Sequence, residues 1–133
     1  MESLLPLLLL ISLTSVIGLL LRAKKGVIKK GTKVKISEGE FGGRYGSRLT
    51  ILQFSTTFCS ECRTAKAIVK DVVKEFKDIA YVEVDAESNL ELVRRIDIRS
   101  TPTTIFLDSK GFEIARAKGA PKRDQLIKAI KAI

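Results

Sequence analysis

The feature that most limits how this chain can fold is an uncharged, leucine-rich stretch from Ser3 to Leu21. An α-helix over this stretch is about 28 Å long, which is enough to cross the hydrocarbon core of a bilayer. Pro6 falls in the first turn of such a helix, where its missing N–H does no harm. We therefore predict a transmembrane helix over residues 3–21, and the length that remains suits one compact domain.

A cleaved signal peptide is the alternative interpretation of the apolar stretch. Such peptides carry positive charge before the apolar core and small residues at the cleavage site. Here Met1 and Glu2 precede the core, and three leucines and Arg22 follow it. The sequence therefore favours a retained membrane anchor.

The net charge of +9 is concentrated directly after the apolar stretch. Residues 22–35 carry seven basic side chains and no acidic one: Arg22, Lys24, Lys25, Lys29, Lys30, Lys33 and Lys35. From Ile36 onwards, 17 basic and 14 acidic residues nearly balance. Because this part of the chain has no basic face interleaved with aromatic residues, we predict no nucleic-acid binding.

The basic flank also predicts the orientation of the anchor. Lysine and arginine collect on the cytoplasmic side of membrane helices, so we expect a single-pass membrane protein with its domain on the cytoplasmic side. The extracytoplasmic side is the alternative. Residues 22–35 could contact anionic head groups of the lipid bilayer, although a solvated tether is the simpler interpretation.

The chain has two cysteines, Cys59 and Cys62, and no histidine. The absence of histidine excludes Ser-His and Cys-His catalytic pairs. Two thiolates alone cannot complete a structural zinc site or hold an iron–sulfur cluster. We therefore predict no bound metal and no cofactor apart from a redox-active Cys59–Cys62 disulfide. A copper or zinc carrier that shares ligands with a partner chain is an alternative.

The hydrophobic pattern predicts a domain over residues 33–133, preceded by a basic juxtamembrane linker over 22–32. Polar and apolar residues alternate over Lys33–Ser37, which predicts a short edge strand. The glycine-rich stretch Glu38–Ser47 predicts a loop. Beyond it we predict strands and helices in the order strand, helix, strand, helix, strand, strand, helix: Leu49–Phe54, a helix after Cys62, Ile79–Val84, a helix ending at Ile96, Thr103–Leu107, Phe112–Lys118 and a helix after Pro121. This order indicates an α/β fold in which helices flank a mixed sheet.

The two cysteines lie where the first of these central strands gives way to a helix. A cysteine at the start of a helix is close to unsatisfied N–H groups and the positive end of the helix dipole, which favour its thiolate. The sequence therefore predicts Cys59 as the nucleophile that attacks a disulfide and Cys62 as the resolving cysteine. Arg63 and Lys66 favour the thiolate, whereas Glu61 opposes it.

Residues 48–120 resemble a thioredoxin-family domain. The resemblance rests on Leu49–Phe54, the motif from Phe58 to Arg63, Val82–Asp85, Arg99–Thr104 and the Lys118-Gly119-Ala120 turn. It implies a thioredoxin-like fold, a cis bond between Thr101 and Pro102, and backbone pairing of Thr101 with the substrate chain. It also implies that Phe58, Pro102 and Gly119 line the substrate groove.

The resemblance is incomplete at four places around the motif. Phe58 stands where the family has tryptophan, and Ser60-Glu61 stands where it has Gly-Pro. Gln53 replaces a buried aspartate, and Tyr81 replaces a nearby lysine. We expect Ser60, Glu61 and Arg63 to set the pKa of the thiols, and the proton acceptor for Cys62 is left unassigned.

These features predict a membrane-tethered thiol–disulfide oxidoreductase. Its partners would be proteins that carry disulfides or dithiols, together with an electron donor that the sequence does not identify. A cytoplasmic domain favours reduction, whereas a domain outside favours oxidation or isomerisation. A thioredoxin-fold binding module with little turnover and a metal carrier are the other hypotheses.

Overall fold

The computed structural model describes residues 4–133. Helix α1 spans Leu4–Ala23 and has no buried residue, and it is long and apolar enough to cross a membrane, although a signal sequence near the N-terminus would pass the same test. Ser3, the first residue of the predicted span, lies outside the described residues. The helix continues two residues beyond the predicted end at Leu21.

The rest of the described chain forms a five-stranded mixed sheet with helices on both faces. Its strands and helices follow in chain order: β1 Ile28–Lys30, α2 Glu38–Phe41, β2 Leu49–Ser55, α3 Ser60–Val73, β3 Ile79–Asp85, α4 Leu90–Arg95, β4 Thr103–Asp108, β5 Glu113–Lys118 and α5 Arg123–Ala132. The strand order is β1-β5-β4-β2-β3, with β2 and β3 parallel and the other neighbours antiparallel. The predicted α/β class with a mixed sheet is confirmed.

Strand β2 lies inside the sheet, and all seven of its residues are buried. On one face, α3 and α5 pack against it through Val69, Val72, Leu126 and Ile130. On the other face, Phe41 of α2 and Leu92 of α4 pack against Leu52 and Phe54. Burial on both faces explains why β2 is largely apolar and does not alternate between polar and apolar residues.

The structure differs from prediction in the chain before β2. The edge strand predicted at Lys33–Ser37 is wrong, because the strand is Ile28–Lys30, within the segment predicted as a linker, and it pairs antiparallel with β5. Lys33 has a φ of +60°, which breaks the extended chain, and beyond it Lys35 makes a single bridge to Phe112.

The predicted loop over Glu38–Ser47 also contains a helix. Its first four residues form α2, because the Glu40 carboxylate accepts a hydrogen bond from the Ser37 backbone N–H at 2.7 Å and supports the helix N-terminus.

Candidate active site

Cys59 and Cys62 lie at the N-terminus of α3, directly after β2, and are joined as a disulfide with their Cα atoms 5.1 Å apart. Cys59 is the N-cap residue, and its Sγ accepts a hydrogen bond from the Cys62 backbone N–H at 3.1 Å. Cys59 is partly exposed, whereas Cys62 is 4% exposed. The same N–H would stabilise a Cys59 thiolate in the reduced protein.

The Thr101–Pro102 peptide bond is cis, as the resemblance implies. The Thr101 hydroxyl lies 3.5 Å from the hydroxyl of Thr56, which belongs to the segment between β2 and α3. Pro102 is buried, and its carbonyl accepts a hydrogen bond from the Gly119 N–H at 2.8 Å. These contacts bring Thr101, Pro102 and Gly119 together at one end of the sheet.

Gly119 has a φ of +83°, a backbone conformation that residues with a Cβ rarely adopt. A Cβ at this position would lie 3.2 Å from Glu61 Oε1 and 3.3 Å from the Gly26 backbone N. Glycine therefore allows two other segments to approach the turn closely.

The motif residues Phe58, Ser60 and Arg63 are all exposed. Phe58, the residue before Cys59, is 98% exposed, so its apolar ring lies almost entirely in solvent. The Arg63 backbone N–H donates to the Cys59 carbonyl at 3.4 Å. Lys66, which was expected to favour the thiolate, instead forms an ion pair with Glu83 at 2.6 Å.

Gln53 is fully buried, and both the nitrogen and the oxygen of its side-chain amide make hydrogen bonds. Its Nε2 donates to the Cys62 carbonyl at 3.0 Å, and its Oε1 accepts from the Tyr81 hydroxyl at 2.6 Å. Burial and the charge of Glu83 raise the pKa of Tyr81 above its ordinary value. Tyr81 is therefore a neutral donor, and the Gln53–Tyr81 pair supplies no carboxylate to accept the proton of Cys62.

Glu61 points away from the helix toward the chain that follows the apolar helix. Its Oε2 lies 3.9 Å from Lys25 Nζ, and its Oε1 lies 3.5 Å from the Ala120 backbone N. Lys25 thus offsets the charge that the sequence adds between the two cysteines.

Gly26 docks the segment after α1 onto the Gly119 turn. Its N–H donates to the Lys118 carbonyl at 2.5 Å, and its φ is +74°. A Cβ on Gly26 would lie 2.2 Å from the Ala120 carbonyl oxygen. Sequence reasoning missed Lys25 and Gly26 because the lysine- and glycine-rich composition predicted a linker, and the glycine itself was the available signal.

Among residues 4–133, no group of three or more Cys, Asp or Glu side chains is arranged to hold a metal ion. A metal bound at the two cysteines would therefore need ligands from another molecule.

We expect Glu61→Gln to lower the pH at which the Cys59 thiolate forms, and Lys25→Gln to raise it, each by up to about one unit. The first change removes the negative charge of the residue that lies between the two cysteines in sequence, and the second removes the cation 3.9 Å from that charge. Ultraviolet absorbance of the thiolate in a pH titration of the reduced protein measures both shifts. Glu91→Gln, on an exposed position of α4, is the matched control, and shifts of the same sign in both test variants would contradict the expectation.

Residues 32–132 match the thioredoxin family. Thioredoxin H5 of Oryza sativa subsp. japonica is 34% identical over 77 residues, which cover 58% of this chain and 56% of that protein. Thioredoxin H2-1 of the same plant is 27% identical over 110 residues, covering 83% of this chain and 78% of that protein.

Solved structures give the same result. Thioredoxin-2, described as a component of malaria parasite protein secretion machinery, superposes with a TM-score of 0.60 at 28% identity, covering 65% of this chain and 84% of that chain. Chlamydomonas reinhardtii thioredoxin f2 superposes with a TM-score of 0.59 at 26% identity, covering 71% and 85%. The match to the rice H5 protein spans little more than half of that relative's length.

Proposed function

Because the chain belongs to the thioredoxin family, we propose that it is a membrane-tethered thiol–disulfide oxidoreductase that acts on protein disulfides through Cys59 and Cys62. The family and the cysteine pair support thiol–disulfide exchange. The observation that carries the proposal is the Cys59–Cys62 disulfide at the N-terminus of α3, where a backbone N–H donates to Cys59 Sγ.

In the reductive direction, the Cys59 thiolate attacks one sulfur of a substrate disulfide. The substrate S–S bond breaks, a Cys59–substrate disulfide forms, and the released substrate thiolate takes a proton from solvent. Cys62 loses its proton and then attacks Cys59 Sγ. The Cys59–substrate S–S bond breaks, the second substrate thiolate leaves and takes a proton from solvent, and the Cys59–Cys62 disulfide forms. Two electrons pass to the substrate, and an electron donor must supply them again.

The same proposal assigns the surrounding residues. Phe58, Thr101, Pro102 and Gly119 form the substrate groove, with the substrate backbone beside Thr101. The pKa of the two thiols is set by their neighbours Ser60, Glu61 and Arg63. The domains are a transmembrane helix over 3–21, a basic linker over 22–32, part of which forms β1, and a thioredoxin-like domain over 33–133.

Lipid contact through residues 3–21 and the basic residues 22–35 is also part of the proposal. It is supported by the exposure of the apolar side chains of α1, none of which is buried in the structure of residues 4–133. Exposed leucine over such a length is unfavourable in water and favourable in a bilayer.

The test is reduction of a protein disulfide by a small dithiol, with the full-length protein in lipid nanodiscs. We expect the protein to raise the rate well above that of the dithiol alone. An unchanged rate would contradict the proposal and favour the hypothesis of a binding module. Stoichiometric copper(I) or zinc binding by the reduced protein would instead indicate a metal carrier.

We expect the domain to lie on the cytoplasmic side. The seven basic residues of 22–35 all follow the apolar stretch, and moving each cation outward against the membrane potential costs about 2.3 kcal/mol per 100 mV. A reporter fused after Ile133 that is active only in the cytoplasm should give signal, and a second reporter active only outside should not. The reverse result would overturn this orientation and favour oxidation or isomerisation of exported proteins.

A further inference from the structure

A pocket of about 330 Å³ opens beside the cis-proline loop. Ser100, Thr101 and Gly119 form one side of it, and Leu21 and Lys24 at the end of α1 form another. A second cavity of about 250 Å³ shares Lys24, Lys29 and Lys118 with the first. The first cavity therefore includes Thr101 and Gly119 of the proposed substrate groove, and the second adjoins it through the shared lysines.

The charges on this surface are mostly positive, and Asp97, the acidic residue that lines the second cavity, pairs with Arg99 at 2.8 Å. Four lysines and one glutamate line the first pocket, and the glutamate, Glu61, is offset by Lys25. The other three lysines, Lys24, Lys29 and Lys118, are exposed, and none forms an ion pair within residues 4–133. The pocket beside Thr101 therefore attracts negative charge.

Thr101 indicates what kind of negatively charged molecule fits. In the described part of the chain its backbone N–H and C=O make no hydrogen bond. A polypeptide offers N–H and C=O groups in alternation and can satisfy both. A lipid phosphate accepts hydrogen bonds but donates none, so it can pair only with the Thr101 N–H, whereas a peptide matches both groups. The head-group contact proposed for residues 22–35 then falls to the basic residues outside this pocket, Arg22, Lys30, Lys33 and Lys35.

We infer that this lysine-lined pocket binds an acidic segment of the substrate polypeptide, adjacent to the cystine that Cys59 attacks. The inference rests on the proposed function and names the substrate class for it. When the acidic flank of the substrate binds at Lys29 and Lys118, the substrate backbone lies beside Thr101, which lines the same pocket.

The experiment compares three peptides with the same internal cystine and with glutamate, glutamine or lysine flanks. Full-length protein in nanodiscs of net-neutral phosphatidylcholine reduces each peptide, with a small uncharged dithiol as the electron donor, and kcat/KM is measured at low and high salt. We expect the glutamate peptide to be preferred over the glutamine peptide by about tenfold at low salt, and the preference to fall as salt is added.

A Lys29→Glu/Lys118→Glu variant should reverse the order and prefer the lysine peptide. The readout is a ratio within one preparation, so a change in the folded fraction cancels. Lys128→Glu is the matched control, since Lys128 is exposed on α5 and lines neither cavity. It should keep the preference of the unmodified protein.

Three other outcomes decide against the inference or against its premise. If all three peptides are reduced at the same rate, the pocket does not select acidic substrates. If the charge reversals weaken binding to anionic vesicles while the peptide preference stays unchanged, the pocket is a head-group site. If neither the peptides nor a small uncharged disulfide is reduced, the proposed function fails first.

Discussion

Replacing Cys59 by serine should abolish disulfide exchange, with a loss on the order of a thousandfold or more, because the variant has no attacking thiolate. The partial exposure of Cys59 and the N–H donated to its Sγ support this role. Reduction of a protein disulfide by the full-length protein in nanodiscs measures the loss.

Cys62→Ser should behave differently from Cys59→Ser. It keeps the nucleophile but cannot resolve the mixed disulfide, so covalent complexes with substrates should accumulate and can be isolated. Mild alkylation of the reduced, unmodified protein should label Cys59 first, because Cys62 is 4% exposed. Trapped complexes with Cys59→Ser and not with Cys62→Ser would reverse the assignment.

Arg116→Met should lower the free energy of unfolding by about 3–5 kcal/mol at neutral pH, because it leaves a buried carboxylate without its partner. The Glu113 side chain is 0% exposed, and Arg116 Nε donates to it at 2.5 Å. Thr32 donates to the other carboxylate oxygen at 2.5 Å. Denaturant unfolding of the full-length protein in a mild detergent measures the change.

The pH dependence of this variant provides a second readout. Burial alone would raise the pKa of Glu113, but the hydrogen bonds from Arg116 and Thr32 outweigh it and hold the pKa below its ordinary value. In the unmodified protein the pair therefore contributes stability at neutral pH that is lost as the pH falls through the lowered pKa. Without Arg116 the pKa should rise, so the destabilisation should be largest at neutral pH and shrink on acidification.

Two controls separate this effect from a general loss of charge. Arg99→Met removes a similar ion pair with Asp97 at 2.8 Å, but both side chains are largely exposed, so a much smaller change is expected. Glu113→Gln/Arg116→Met should recover part of the stability, since no buried charge remains. Equal losses for Arg99→Met and Arg116→Met would show that burial of Glu113 is unimportant.

Much of the site could be predicted because its signals are local. The spacing of Cys59 and Cys62 at a strand-to-helix junction predicts their meeting in the first helical turn. The cis bond between Thr101 and Pro102 was predicted from the resemblance to the thioredoxin family and not from local signals. Hydrogen bonding at Gln53 could not be predicted, because its partners, the Tyr81 hydroxyl and the Cys62 carbonyl, come from other elements.

The apolar helix, the central strand β2 and the helix after Cys62 follow from the sequence alone, because hydrophobic periodicity is a property of neighbouring residues. The position of β1 and the docking of Lys25 and Gly26 depend on the tertiary structure. An edge strand is held by backbone hydrogen bonds to its neighbour, which any side chain permits, so composition carries little information about it. At Gly26, the 2.2 Å approach of the Ala120 carbonyl oxygen to a hypothetical Cβ exists only once β5 and its turn are in place.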